Sequence, residues 1–313
     1  MPMANAAEFL LQAQNADGGW GYRVRGMSYV EPTAAVLSAL RSAPPDARTD
    51  TTIVRARDFL LTIQRADGGW GIGSMDTESG WMTAWAVWAL VGLADDAMAR
   101  GVRWLLATEG LRITDPVARA SIRTLHRIDS ALSGWPWQRG DAAWVHPTAL
   151  AILALVAAGE REHARVHEGV EYLLDRAVPS GGWNVGNPWM IGKPIPATFQ
   201  DTAVALLALR AANVTGDPST GSGQAQWQVA RGIEYLHSAV SRAQTAVELA
   251  WGIWALAIGD WRLGIRDWRP VLSGAEGLEL DDALARLKGL QRADGSWGGN
   301  PFITAIAMLA SEK

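Results

Sequence analysis

The dipeptide Thr-Ala opens an apolar segment six times along this 313-residue chain: TAAVLSAL at 33, TAWAVWAL at 83, TALAILAL at 148, TAVALLAL at 202, TAVELAWG at 245 and TAIAMLAS at 304. A second element alternates with it. FLLQAQNADGGWGY (9–22) and FLLTIQRADGGWGI (59–72) lie 50 residues apart, and LKGLQRADGSWGG returns at 287–299. Weaker copies stand at 171–183 and, interrupted, at 102–110 with 133–137. A repeat of this length means that one supersecondary unit recurs, each copy burying its apolar face against the next.

The period of the apolar residues assigns the elements. Ile53, Ala56, Leu60 and Ile63 fall at three- and four-residue intervals with charged residues opposite, the pattern of an outer amphipathic helix over Ile53–Gln64. The Thr-Ala segments are apolar all round and must be enclosed. Asp-Gly-Gly between the two allows a left-handed backbone after the outer helix, and Trp20, Trp70, Trp183 and Trp297 read as scaffold packed across helix ends. Six such pairs predict an all-α protein, a single α6/α6 toroid over residues 1–313 with inner helices around a central cavity. Residues 111–130 fall outside the period and read as an inserted helix.

Composition narrows the function. Hydrophobic residues at 49% and charged residues at 19% supply a large core. A net charge of −4 without a basic run argues against nucleic acid as a partner. The absence of cysteine removes disulfides, thiolate metal sites and cysteine nucleophiles, and makes the cytoplasm the expected compartment. No leader or membrane span is read from the sequence. His163 and His167 have the i, i+4 spacing of metal ligands, but no third ligand is evident, so no metal is expected. Seventeen tryptophans against four tyrosines and four phenylalanines point to a need for large, stiff rings.

The turn pattern Q-x-x-D-G-G-W, at Gln14–Trp20 and Gln64–Trp70, resembles the QW repeats of squalene-hopene and oxidosqualene cyclases and the helical repeats of protein prenyltransferase β subunits. That resemblance implies the toroid, an apolar isoprenoid substrate, and class II chemistry in which the middle Asp of D-x-D-D-T-A protonates an alkene or epoxide. Thr198-Phe199-Gln200-Asp201-Thr202-Ala203 lines up with the motif. Gln200 stands where the acid would be, and only the last Asp, Asp201, remains. In such enzymes that Asp mainly positions its neighbours. An Asp ahead of an apolar helix is also a strong N-cap, so Asp201 is either a cap or a relocated acid. The zinc site of the prenyltransferases needs a cysteine that this chain lacks. Full-length cyclases carry two helical domains, which leaves room for a homodimer or a partner domain.

A relocated acid would face the cavity. The residues two places ahead of each Thr-Ala threonine share one helical end: Glu31, Trp81, His146, Gln200, Ala243 and Phe302. Glu31 and His146 each precede a proline, a normal helix start, and also read as a desolvated carboxyl with a histidine partner. Glu248, inside an apolar helix, is a further candidate to line the cavity. Trp81, Trp85, Trp88, Trp144, Phe199, Trp251, Trp254 and Phe302 supply faces that would stabilise a passing cation, or else plain core. The sequence therefore predicts proton-initiated cyclisation or isomerisation of an isoprenoid by Asp201, Glu248, or Glu31 with His146. Its rivals are a non-catalytic lipid-binding or scaffold protein and a carbohydrate-active toroid. No cofactor is expected; magnesium would enter only with a diphosphate, which Arg23, Arg25 and Lys193 could meet. Peripheral contact with a membrane is left open.

Overall fold

The computed structural model describes residues 2–43, 46–214, 223–257 and 275–311. Within them, outer helices α1 (Pro2–Gln12), α3 (Ala47–Thr62), α5 (Asp95–Leu106), α8 (Ala164–Asp175), α10 (Gly223–Arg242) and α12 (Ala275–Gly289) alternate with inner ones. The inner helices are α2 (Val30–Ser42), α4 (Met82–Leu90), α7 (Val145–Ala157), α9 (Phe199–Ala211), α11 (Ala246–Ala257) and α13 (Pro301–Ser311). The period-breaking segment forms α6 (Pro116–His126), capped by Asp115, whose carboxylate accepts from the Ala118 amide. A short antiparallel hairpin, β1 (Trp189–Met190) and β2 (Lys193–Pro194), precedes α9. The outer helix read at Ile53 starts earlier, at Ala47, because Asp46 accepts from the amides of Arg48 and Thr49 and stops it there.

Two compact units divide the chain, Met1–Trp104 with Val240–Lys313, and Leu105–Ala239. In the first, α2 packs on α4 and α13, α13 on α11 and α1, while α3 and α12 cover α2 and α11. In the second, α7 packs on α9 and α8. The inner helices are buried as their uniform apolarity demands: α7 and α9 each bury at least ten consecutive or nearly consecutive residues.

One device builds every well-formed repeat. The Trp indole N–H donates to a Leu carbonyl near the end of the outer helix: Trp20 to Leu10, Trp70 to Leu60, Trp135 to Leu105, Trp183 to Leu173 and Trp297 to Leu287, at 2.7–2.9 Å. The same tryptophan's amide donates to the hydroxyl of the Thr-Ala threonine, to Thr33, Thr83, Thr148, Thr202 and Thr304, at 2.9–3.1 Å. Threonine thus ties the turn to the inner helix, and tryptophan ties it to the outer one. The turn glycines Gly18, Gly68, Gly181 and Gly295 have φ of 86–99° and lie against a backbone carbonyl of another outer helix, where a Cβ would come within 2.2–2.8 Å. For Gly295 that carbonyl belongs to Asn5, so the last turn of the first unit rests on the first helix.

Candidate functional site

In the first unit, α2 opens with Val30-Glu31-Pro32, the proline presetting the first helical turn. The carboxylate of Glu31 accepts a short hydrogen bond from the Tyr22 hydroxyl, which stands two residues past the Trp of its turn. Tyr22 packs on Tyr29 at 5.5 Å and on Phe302 at 6.0 Å between ring centroids. Trp85 then meets Phe302 at 6.0 Å, Trp251 at 6.4 Å and Trp88 at 5.6 Å, and Trp254 joins Trp88 to Trp251. Edge-to-face and tilted pairs such as these are the favourable geometries for rings. Burial pushes the Glu31 carboxyl above the usual range, against the opposing pull of the Tyr22 hydroxyl and the Trp85 indole. Tyr22 is itself driven upward, by burial first and then by Glu31. Glu31 is half-buried. The Trp251 indole N–H is buried and has no hydrogen-bond partner among the described residues.

In the second unit, α7 begins with Val145-His146-Pro147 and α9 with Phe199-Gln200-Asp201. Their packing sets His146 Nδ1 3.8 Å from Asp201 Oδ1, both side chains buried. Thr198 Oγ1 donates to Asp201 Oδ2 at 2.5 Å, and the Trp137 ring stacks on His146 at 5.6 Å and 20°. Burial raises the Asp201 carboxyl, with the Thr198 hydroxyl opposing, and takes the imidazole down to about 4. Both directions disfavour the charged forms of the pair.

Several sequence expectations change. Asp201 does not cap its helix: the N-cap is Thr198, and the Asp201 carboxyl takes that residue's hydroxyl instead of a backbone amide. His146 has Asp201 as its carboxyl neighbour, while Glu31 has Tyr22. Glu248 is no lumenal acid. Its carboxylate accepts from the Thr245 hydroxyl at 2.7 Å and from the amides of Thr245 and Gln244, and the Glu248 amide returns a bond to Thr245 Oγ1. That is a capping box, and it holds the carboxyl below its usual range. Gln200 is exposed and Phe199 half-buried, so neither joins the buried pair beside them. Trp81 and Trp144 sit at the N-caps of α4 and α7, half-buried. Arg23, Arg25 and Lys193 are exposed. His163 accepts from the Arg165 amide as the cap of α8, and no cluster fit for a metal occurs among the described residues. Sequence reasoning missed Tyr22, Trp137 and Thr198. Tyr22 and Trp137 hid inside turns already explained as scaffold, and nothing but proximity distinguishes them.

Residues 1–112 match a family model, the squalene-hopene cyclase C-terminal domain. No curated protein sequence matches the chain. Among solved structures, the type II terpene cyclase MstE from Scytonema, in complex with its substrate geranylgeranyl dihydroxybenzoate, is similar with a TM-score of 0.65 at 17% identity, over 99% of this chain and 95% of that one. A protein from Actinoplanes is similar at 0.64 and 19% identity, over 99% and 97%. An α-1,6-mannanase from a Salegentibacter species, bound to α-1,6-mannotriose, gives 0.64 at 11% identity, over 99% and 96%. At such identities the likeness is one of fold, and one fold carries lipid and sugar chemistry alike. Residues 1–112 are thus similar to the squalene-hopene cyclase C-terminal domain, and the whole chain shares the fold of these helical proteins.

Proposed function

We propose that the chain is a terpene cyclase-like enzyme that protonates an alkene of an isoprenoid substrate with Glu31. The observation that carries this reading is the short Tyr22–Glu31 hydrogen bond set against the Trp85, Trp251 and Phe302 rings. Desolvation makes the Glu31 carboxyl hold its proton more tightly than an exposed one, and Tyr22 stabilises the carboxylate left behind. The proton adds to the less substituted alkene carbon, the π electrons form the new C–H bond, and the adjacent carbon becomes cationic. Aromatic faces stabilise that cation while a second double bond attacks it, and loss of a proton from the final cation closes the balance. The buried, partnerless Trp251 indole N–H suits an isoprenoid bearing an oxygen function, as the substrate of the Scytonema enzyme does. The sugar reading needs two carboxyls flanking one bond, whereas Glu31 and Asp201 are partnered by a tyrosine and a histidine.

A second reading has its own support. Asp201, raised by burial beside His146, is equally a buried carboxyl, and it aligns with the last Asp of the family motif. One experiment separates the two. Purified protein is incubated with geranylgeranylated aromatic acids and with squalene, and extracts are examined for cyclised isomers of unchanged mass. Glu31→Gln is expected to lower product formation by at least about 100-fold with folding intact. If Asp201→Asn does so and Glu31→Gln does not, the acid is Asp201. Ligand-induced thermal stabilisation without product in the wild type would leave a binding protein.

A further inference from the structure

The inner helices share a register, because the Thr-Ala threonine receives the turn amide at the same place in each well-formed repeat. Five residues beyond that threonine stand Trp88, Leu153, Leu207 and Leu309, on α4, α7, α9 and α13. AWGIWAL of α11 repeats AWAVWAL of α4, which puts Trp254 at the place of Trp88. Packing leaves this position partly uncovered on four helices: Trp88 is half-buried, Leu153 and Leu309 are 8% exposed and Trp254 6%, each between neighbours at 2% or less. Leu207 alone is sealed. On α2 the same position is Ser38.

A serine is out of place among these large apolar side chains. Its hydroxyl is buried and has no hydrogen-bond partner among the described residues. Other helix serines of this chain return a bond to a carbonyl of the preceding turn: Ser42 to Ala39, Ser121 to Val117 and Ser311 to Ala307, at 2.7–3.0 Å. A hydroxyl left buried and unpaired costs stability that an alanine in its place would not lose. Folding therefore does not account for Ser38, whereas a partner brought by a ligand would.

Ser38 shares a face of α2 with Glu31. The seven residues from one to the other complete nearly two helical turns, so the hydroxyl stands on the same side as the carboxyl, about 10 Å farther along the axis. Ala35 lies between them, where α4, α11 and α13 carry Trp85, Trp251 and Ile306. Along this strip α2 presents a carboxyl, then a methyl group, then an unpaired hydroxyl, and both α4 and α13 pack on α2.

Resting on the reading of Glu31 as the acid, we infer that Ser38 determines specificity: its hydroxyl binds a hydroxyl or carbonyl oxygen of the substrate, held about 10 Å, roughly two isoprene units, from the alkene that Glu31 protonates. The half-buried Trp88, at the same level on α4, is the ring that turns aside to admit it. Binding is measured in Glu31→Gln, which holds a ligand without protonating it, so that anchor and acid are judged separately. Tryptophan fluorescence is titrated with geraniol, with the hydrocarbon that lacks its hydroxyl, and with farnesol, which is one isoprene unit longer. Geraniol is expected to bind about tenfold more tightly than the hydrocarbon and more tightly than farnesol. Adding Ser38→Ala should remove the preference over the hydrocarbon and leave hydrocarbon affinity unchanged. Ser38→Ala by itself should hold or raise the melting temperature of the ligand-free protein. No binding of geraniol, equal affinity for it and the hydrocarbon, farnesol bound as tightly, or a preference that survives Ser38→Ala overturns the inference. A preference lost in Trp251→Phe instead moves the anchor to that indole, and a melting temperature lowered by Ser38→Ala makes the hydroxyl a structural group; either outcome also overturns it. A preference that depends on Ser38, in a wild type that forms no product, keeps the anchor and refutes Glu31 as the acid.

Discussion

Thr198 and Asp201 stand three residues apart, as do Thr245 and Glu248, and the two pairs meet opposite fates. Glu248 closes a capping box on the exposed start of α11, whereas Asp201 turns to a threonine hydroxyl and a buried imidazole. The extra methylene of Glu lets its carboxylate reach back to the cap amides, which the geometry of Asp201 beside α7 does not require of it. Glu248→Ala is therefore expected to cost about 1 kcal/mol in urea unfolding and to leave turnover unchanged. Buried groups impose a pH dependence. Glu31, raised in the folded state, binds more protons folded than unfolded between its two values, so it withdraws stability as pH rises through that interval. His146, at about 4 when folded, binds fewer, so its contribution is full above the unfolded value near 6.5 and is lost as pH falls toward 4. Urea midpoints across this range should show the acid-side loss flattened in His146→Gln, by up to about 1.4 kcal/mol for each pH unit between the two values. Tyr22→Phe should raise the Glu31 carboxyl further, seen as an upward shift of the alkaline limb in the pH profile of turnover; an unmoved limb would remove Tyr22 from the site.

The turn between outer and inner helix draws its strength from two side chains used in the same way five times. Thr83 receives the Trp70 amide at 2.9 Å in a fully buried setting, so Thr83→Val keeps the volume but strands a backbone N–H. A loss of about 1–3 kcal/mol is expected, read as a lower urea midpoint, with Thr83→Ser recovering most of it. Glycine in the outer helices serves the same joint: Gly101 meets the Trp70 ring, Gly169 that of Trp135 and Gly232 that of Trp183, each at 2.5–2.8 Å from a would-be Cβ. These glycines sit inside helices, where their low propensity gives no hint of a packing role. The Thr-Ala repeat made the joint legible, because the same hydroxyl recurs at the same place. Thr245 broke the pattern for a local reason: it stands ahead of α11 and caps it, while Leu249 is buried one turn on.

At the scale of the molecule, the two ends of the chain close on each other in the first unit: α13 packs against both α2 and α11, and the Gly295 turn rests on α1. An open solenoid would lose one repeat's worth of stability on truncation. Removal of residues 301–313 is instead expected to abolish the cooperative thermal transition, followed by calorimetry; a sharp transition displaced by only a few degrees would contradict closure. Helices, their inner or outer place and the repeat joint were determined by sequence alone, since apolar period and turn chemistry act between residues that are neighbours along the chain. Which carboxyl is desolvated was decided by tertiary structure. Burial, the pairing of Asp201 with His146 and the contact of Tyr22 with Glu31 all depend on which element lies alongside, and desolvation is a property of those surroundings rather than of the residue.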